Sequence, residues 1–317
     1  MSQLAGTARN NTESDQRIHY AVDAEGLQKS YGKVKAVDGI DLRIRPGEIV
    51  AFLGPNGAGK TTTIDMLLGL SKPDHGSIIV YGKNPRQAIA HGQVSAVMQT
   101  GGLLKDLTVR ETVALTASLF AEARPVDECL ERAGIKEIAD RMVFKCSGGQ
   151  QQRLRFAMAL VSDPGLLILD EPTTGMDVEG RREFWNAIHT DARRGRTVIF
   201  ATHYLDEADA YADRIILVRR GKIVADGTSA EIKALASGRT VRATASNLHQ
   251  TALAAMPGVD HVELRAGAVT VQTKDSDAVA RYLLNHTDAK DLEITSHNLE
   301  DAFLALTSDE PVSAVSK

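Results

Sequence analysis

A glycine-rich segment directly follows a short apolar run near residue 50, and this pairing constrains the fold more than any other part of the sequence. The run at residues 49–53, IVAFL, is too short for a helix and is typical of a buried parallel strand. Residues 54–61 match the pattern G-x-x-x-x-G-K-[ST], and a helical apolar pattern begins at Ile64. Strand, glycine-rich loop and helix in this order predict a phosphate-binding loop in an α/β fold.

The residue types of this loop suit the binding of nucleotide phosphates. Its glycines let the backbone turn tightly and approach the phosphates closely. The Lys60 ammonium can reach the outer phosphates, and the Thr61 hydroxyl can bind Mg²⁺. The residues that we expect to contact the nucleotide here are Gly54, Pro55, Asn56, Gly57, Ala58, Gly59, Lys60, Thr61 and Thr62.

A second anion site is predicted about ninety residues further along the chain. Ser147, Gly148, Gly149 and Gln150 stand at the head of another predicted helix. Exposed amides and the helix dipole favour negative charge at such a position. One nucleotide needs only one such site, so the pair suggests that ATP is held from two sides, which two copies of the protein could supply.

Three further apolar runs end in polar residues. Asp170 and Glu171 follow the run at 166–169, His203 follows the run ending at Ala201, and Gln99 follows the run ending at Met98. Side chains at the carboxyl ends of such strands face the crevice where open α/β sheets bind ligands. We expect Asp170 to bind Mg²⁺ and Glu171 to orient and deprotonate the attacking water. His203 is expected near the γ-phosphate, and Gln99 at the water or Mg²⁺.

Together these segments resemble the nucleotide-binding subunit of an ATP-binding-cassette (ABC) transporter over residues 18–308, because five motifs occur in the order of that family. The resemblance implies that residues 54–62 are the Walker A loop and that Gln99 is the Q-loop glutamine. It makes Ser147 to Gln150 the family signature, Asp170 the Walker B aspartate, Glu171 the catalytic glutamate and His203 the switch histidine.

The resemblance adds two expected nucleotide contacts, Asp177 in the D-loop and Tyr31, which lies where the family stacks an aromatic ring on adenine. Two positions depart from the family pattern. Cys146 stands where a leucine usually precedes the signature serine, and Met176 replaces another usual leucine. Both are apolar replacements with packing roles, so we expect activity to be kept.

The resemblance also implies the cofactors and the partners. ATP and Mg²⁺ are the expected ligands, and the protein is expected to be an ATP hydrolase. Such subunits pair head to tail, so that Lys60 of one copy and Ser147 of the other hold one ATP. A homodimer is expected, and pairing with a different second cassette is the alternative. Closure and hydrolysis then drive a separate transmembrane permease, which holds the protein at the cytoplasmic face of the membrane. The segment 298–304 resembles the end of daunorubicin-resistance cassettes, which favours export.

Composition excludes several classes of protein. The chain has 37 basic against 41 acidic residues, a net charge of −4, so there is no basic footprint for nucleic acid. No stretch reaches 18 apolar residues, so a membrane role requires a separate partner chain. Cys129 and Cys146 are the two cysteines, and they form no disulfide framework.

The sequence divides into four parts. Residues 1–17 and 309–317 read as tails, 18–238 as the ATPase core with a helix-rich part at 103–158, and 239–308 as a small α+β, ferredoxin-like unit of order β-α-β-β-α-β. No chemical motif lies after 238, so a chain ending there is expected to bind ATP. The apolar face at Leu299 must be covered by the unit's own sheet or by another surface.

Two alternatives belong to other functional classes. A soluble cassette protein acting on DNA or ribosomes usually carries a long coiled-coil insertion or two cassettes, and this sequence has neither. A nucleotide-sensing module without hydrolysis is expected to lack a catalytic base, yet Glu171 is present.

Overall fold

The computed structural model describes residues 20–98, 102–235, 238–245, 250–265, 267–296 and 299–307. Gln99 and both predicted tails lie outside the described residues, so the expectations for them stay predictions. The strands and α-helices of the described residues are numbered in chain order.

The strands form three sheets. They are β1 (Val22–Tyr31), β2 (Val34–Ile44), β3 (Ile49–Leu53), β4 (His75–Val80), β5 (Val94–Val97), β6 (Leu166–Asp170), β7 (Thr197–Ala201), β8 (Arg214–Arg219), β9 (Lys222–Gly227), β10 (Arg239–Thr244), β11 (Val259–Arg265), β12 (Ala268–Thr273) and β13 (Lys290–Ser296). The sheets have the orders β2-β1-β4, β5-β6-β7-β3-β8-β9 and β11-β12-β10-β13.

The helices flank these sheets. They are α1 (Lys60–Leu67), α2 (Pro85–Ala90), α3 (Val109–Ala117), α4 (Val126–Arg132), α5 (Gly148–Leu160), α6 (Val178–Ala192), α7 (Leu205–Tyr211), α8 (Ser229–Leu235), α9 (Gln250–Ala254), α10 (Ser276–His286) and α11 (Leu299–Thr307). Helices α3, α4 and α5 all lie between β5 and β6 in the chain. Among the described helices, none has both the length and the apolar character that a membrane span requires.

The six-stranded sheet is the centre of the molecule and positions the site. Strands β5, β6, β7, β3 and β8 are parallel, and β9 closes the edge antiparallel to β8. Strands β3 and β7 are buried along their whole length, because apolar clusters cover both faces of the sheet. One cluster contains Phe156 and Trp185 of α5 and α6, and the other joins the sheet to β1 and β2 through Leu27 and Ile40. The predicted α/β phosphate-loop fold is confirmed.

The four strands after residue 238 form a separate antiparallel sheet. The element order is β10-α9-β11-β12-α10-β13, and each neighbouring pair of strands is antiparallel. Val241 and Val271 face Val279 and Leu283 of α10 in a core of their own. The α+β character agrees with the sequence analysis, and the ferredoxin-like classification stays a prediction.

The last described helix, α11, packs on the ATPase core. It lies against α7 and α8. Leu299 is 2% exposed and Ala302 is fully buried, in the same apolar cluster as Ala208 and Ile232. The sequence left open whether the C-terminal sheet or another surface covers this apolar face. In the structure, the ATPase core covers it.

Candidate functional site

The phosphate loop between β3 and α1 requires glycine at two positions. A Cβ on Gly54 would lie 2.2 Å from the carbonyl oxygen of Val218. A Cβ on Gly59, whose φ is +107°, would lie 2.2 Å from the carbonyl oxygen of Ala36. The loop is also tied to its surroundings, since the Gly221 N–H donates to the carbonyl of Ala58 at 2.8 Å. A residue with a Cβ at either position would therefore collide with the neighbouring backbone and displace the loop.

Lys60 opens α1 and points back into the loop. Its Nζ donates to the carbonyl oxygens of Gly54 at 2.6 Å and Pro55 at 3.2 Å. Burial lowers the pKa of Lys60, while the nearby carboxylates of Glu171 and Asp170 act to raise that pKa. The ammonium thus lies in the field of both acids, at the loop whose N–H groups favour anions.

The carboxyl ends of β6 and β7 bring three predicted residues to the same edge. Burial raises the pKa of Asp170, with Lys60 opposing the shift. The Glu171 N–H donates to the carbonyl of Ala201 at 2.9 Å, and its side chain is 16% exposed. His203 Nδ1 lies 2.5 Å from Glu171 Oε2. The predicted base and the predicted switch histidine are thus a hydrogen-bonded pair.

Glu171 has a backbone conformation that is unusual for its residue type. Its φ is +50°, in the left-handed region that glycine favours. Such strain persists where the surroundings fix the chain, and it is typical of functional sites. Here the Ala201 carbonyl on one side and the His203 ring on the other determine the position of the glutamate.

The signature residues cap the start of α5. Ser147 Oγ accepts from the Gln150 N–H at 3.2 Å, and Gln150 Oε1 accepts from the Ser147 N–H at 3.0 Å. Gly148 is exposed, so the helix N-terminus is open to an anion. Arg141, which the sequence analysis missed, also donates to Gln150 Oε1, at 3.2 Å.

The D-loop lies beside the signature. Asp177 caps α6, its Oδ1 accepting from the Gly180 N–H at 2.7 Å. A Cβ on Gly149 would lie 3.3 Å from Met176 Cγ, so the two segments nearly touch. Both line one cleft of about 570 Å³, and residues 54–62, all described, do not line it. The structure therefore groups the predicted residues into two sites, with Ser147 and Asp177 in one and Lys60, Glu171 and His203 in the other.

Tyr31 is the last residue of β1 and precedes the residues of both sites in the sequence. Tyr31 is 53% exposed, and the Lys29 ammonium lies 5.7 Å from the ring centroid. An open aromatic face is what stacking on a base requires. Stacking by Tyr31 stays a prediction, as does the role of Gln99.

The fold and the phosphate-loop site place the protein in the class of phosphate-loop nucleotide hydrolases. Residues 37–174 match the family model described as ABC transporter. The chain is 36% identical to the Nod factor export ATP-binding protein I of Paraburkholderia xenovorans, over 92% of this chain and 98% of the relative. It is also 36% identical to the daunorubicin resistance ATP-binding protein DrrA3 of Streptomyces coeruleorubidus, over 92% of this chain and 96% of the relative.

A solved structure supports the same conclusion. It is a dimeric ATP-binding cassette in a post-hydrolysis state with ADP and Pi, which is 26% identical with a TM-score of 0.59, over 65% of this chain and 98% of that one. The protein belongs to the ABC transporter family and is an ATP-hydrolysing cassette of it. The resemblance drawn from the sequence is confirmed.

Proposed function

We propose that the protein is the motor subunit of a membrane exporter, acting at the cytoplasmic membrane face through a separate transmembrane permease. The observation that carries the hydrolytic part of the proposal is the Glu171–His203 pair at the sheet edge, with the carboxylates of Glu171 and Asp170 acting on Lys60. The relatives named for Nod factor export and daunorubicin resistance support export. The proposed cargo is a drug, an antibiotic or a lipid-like compound.

Each side chain at this edge has a proposed role. Glu171 accepts the proton of the attacking water, and the hydrogen bond to His203 holds its carboxylate in place. Lys60 binds the outer phosphates with its ammonium. These roles require a base next to the phosphates, and the tendency of the Glu171 carboxylate to raise the pKa of Lys60 supports them.

The same edge suits Mg²⁺. Asp170 offers one carboxylate and Thr61 one exposed hydroxyl, and Mg²⁺ typically takes one or two carboxylates while substrate phosphates and waters fill its other positions. Burial raises the pKa of Asp170, and a cation would stabilise its ionised form. When bound, Mg²⁺ would supply charge neutralisation on the phosphates. We propose Asp170 and Thr61 as its ligands.

The two separate groups of residues support a two-fold pairing of copies. Ser147 and Asp177 line a cleft of their own, away from the phosphate loop. In a self-complementary dimer, the Lys60 site of one copy faces the Ser147 site of the other, and each ATP bridges both. Ser147→Glu should block closure, because its charge repels the γ-phosphate. Sedimentation with ATP and Mg²⁺ should give a dimer for Glu171→Gln and a monomer for Glu171→Gln with Ser147→Glu.

The central experiment is hydrolysis by Glu171→Gln. This variant should bind ATP like the wild type and lose turnover by about 10²–10⁴-fold, the usual contribution of a general base. Glu122→Gln, which removes an exposed acid elsewhere, is the matched control and should hydrolyse normally. Wild-type turnover by Glu171→Gln would refute the assignment. The permease is tested by purification from membranes and identification of the bound chain.

A further inference from the structure

Glu207 is a buried carboxylate that the proposed chemistry leaves unused. It lies in the first turn of α7, four residues after His203, and is 2% exposed. A charge removed from water in this way is unfavourable unless partners satisfy it. The sequence analysis missed it, because an acid in the first turn of a helix is usually exposed to solvent and interacts favourably with the helix dipole.

The partners of Glu207 come from the two segments that carry the proposed catalytic pair. Glu207 Oε2 accepts from Thr202 Oγ1 at 3.1 Å, and Oε1 accepts from Thr173 Oγ1 in a short hydrogen bond. Thr202 directly precedes His203, and Thr173 follows Glu171 by two residues. One carboxylate thus bridges the loop after β6 to the loop after β7.

On the histidine side, this bridge fixes the chain around the ring. Thr202 Oγ1 also accepts from the Tyr204 N–H at 3.0 Å, so the residues on both sides of His203 are tied to one hydroxyl. Arg181 Nε lies 3.3 Å from Glu207 Oε1, and its guanidinium lies 4.5 Å from the Tyr204 ring centroid. The Tyr204 ring in turn lies 4.0 Å from the His203 ring.

On the glutamate side, the bridge holds a strained segment. Glu171 has φ +50°, and the Thr174 N–H donates to its carbonyl at 3.3 Å. Thr173 lies inside this turn and is 1% exposed. A hydrogen bond from Thr173 to the fixed carboxylate of Glu207 therefore limits how far the Glu171 side chain can move from His203.

We propose that Glu207 is a positioning residue for hydrolysis: it joins the two loops so that Glu171 and His203 stay in hydrogen-bond contact. The proposal rests on the proposed function, since it takes Glu171 as the base. The hydrogen bonds of Glu207 go to Thr173 and Thr202, the neighbours of the pair, rather than to Glu171 or His203. Its loss should therefore lower turnover and leave ATP binding at the phosphate loop in place.

The first test compares Glu207→Gln with Asp206→Asn in the full chain. Gln keeps the shape but cannot accept two hydroxyl hydrogens as a carboxylate does, and it loses the ion pair with Arg181. We expect kcat to fall about 10- to 100-fold, the scale of a misplacement of about 1 Å, with KM and Kd for ATP within about twofold of wild type. Asp206 is the exposed neighbouring acid, and Asp206→Asn should match the wild type. Unchanged kcat in a folded Glu207→Gln protein overturns the proposal.

The second test uses Thr202, which decides the matter where Glu207→Gln fails to fold. Thr202→Val removes the hydroxyl at nearly constant shape and should lower kcat about 10-fold, whereas Thr202→Ser keeps the hydroxyl and should restore it. In a His203→Ala background, Glu207→Gln should have little further effect on kcat, because both changes act on one unit. Fully multiplicative losses, or equal kcat for Thr202→Val and Thr202→Ser, contradict the proposal.

The two proposals fail in different ways. Wild-type turnover by Glu171→Gln removes the proposed function and this inference together. A Glu171→Gln protein without turnover, beside a Glu207→Gln protein with wild-type kcat, removes the inference alone.

Discussion

The contact of α11 with the ATPase core leads to a stability prediction for Leu299→Ala. Leu299 is 2% exposed and packs in the cluster that contains Ala208 and Ile232. Leu304, on the same helix, is 57% exposed and provides a matched control. If α11 belongs to the core, the two substitutions should differ sharply in their effect on the unfolding of that core.

The magnitude follows from burial. Replacing a buried leucine by alanine costs about 2–5 kcal/mol, and the lower part of that range applies where neighbours can relax into the cavity. Leu299 begins the last described helix, where such relaxation is easy, so we expect a loss of about 2–3 kcal/mol. Leu304→Ala should change the free energy of unfolding by at most about 0.5 kcal/mol. For an m-value of about 2–3 kcal/mol/M, Leu299→Ala should lower the urea midpoint by about 1 M.

The assay is urea unfolding followed by tryptophan fluorescence. Trp185 is the only tryptophan of the sequence, is fully buried in the ATPase core, and stacks on Tyr211 of α7 at a centroid distance of 4.9 Å. Its signal therefore reports the core that α11 contacts. Equal midpoints for Leu299→Ala and Leu304→Ala would refute the packing of α11 on this core.

Three further predictions concern single side chains. Burial raises the folded-state pKa of Asp170 above its usual 3.8, so its ionised form destabilises the fold. Asp170→Asn should raise the urea midpoint of unfolding at pH 8. This increase over the wild type should become smaller as the pH falls through the raised pKa, and an increase that does not change with pH contradicts the prediction. Burial also raises the pKa of Cys129 to about 11 and raises that of Cys146, so a disulfide reagent at pH 8 should label both thiols in urea and neither rapidly in the folded protein. Tyr31→Ala should weaken ATP binding by about 1–3 kcal/mol and Tyr31→Phe should not, as measured by calorimetric titration; equal affinities would exclude stacking.

The parts of the fold that can be predicted are those whose sequence patterns lie in consecutive residues. The strand at 49–53 and its loop lie next to each other in the chain, so local patterns suffice to place Gly54 and Lys60. The carboxyl ends of parallel strands meet at one edge, and this rule brings Glu171 and His203 together without knowledge of their contact.

Contacts between distant segments carry no such signal. Glu207 meets Thr173 across 34 residues, and no spacing rule marks that pair. The apolar face of α11 was visible in the sequence, but which surface covers it depends on where the chain runs after β13. Arg141 at the signature is a similar case, because it reaches Gln150 from a turn outside the helix that Gln150 belongs to.

Because α11 packs on α8, the C-terminal sheet is inserted between two helices that both belong to the ATPase core. The chain leaves the core at α8, builds β10 to β13, and returns to the same place at α11. The ends of the inserted segment are therefore neighbours, the arrangement in which one domain can be exchanged for another without disturbing its host. A chain that ends at residue 238 and a chain that lacks only residues 239–296 are consequently different variants: the first loses α11, which packs on α7 and α8 of the ATPase core, and the second keeps it.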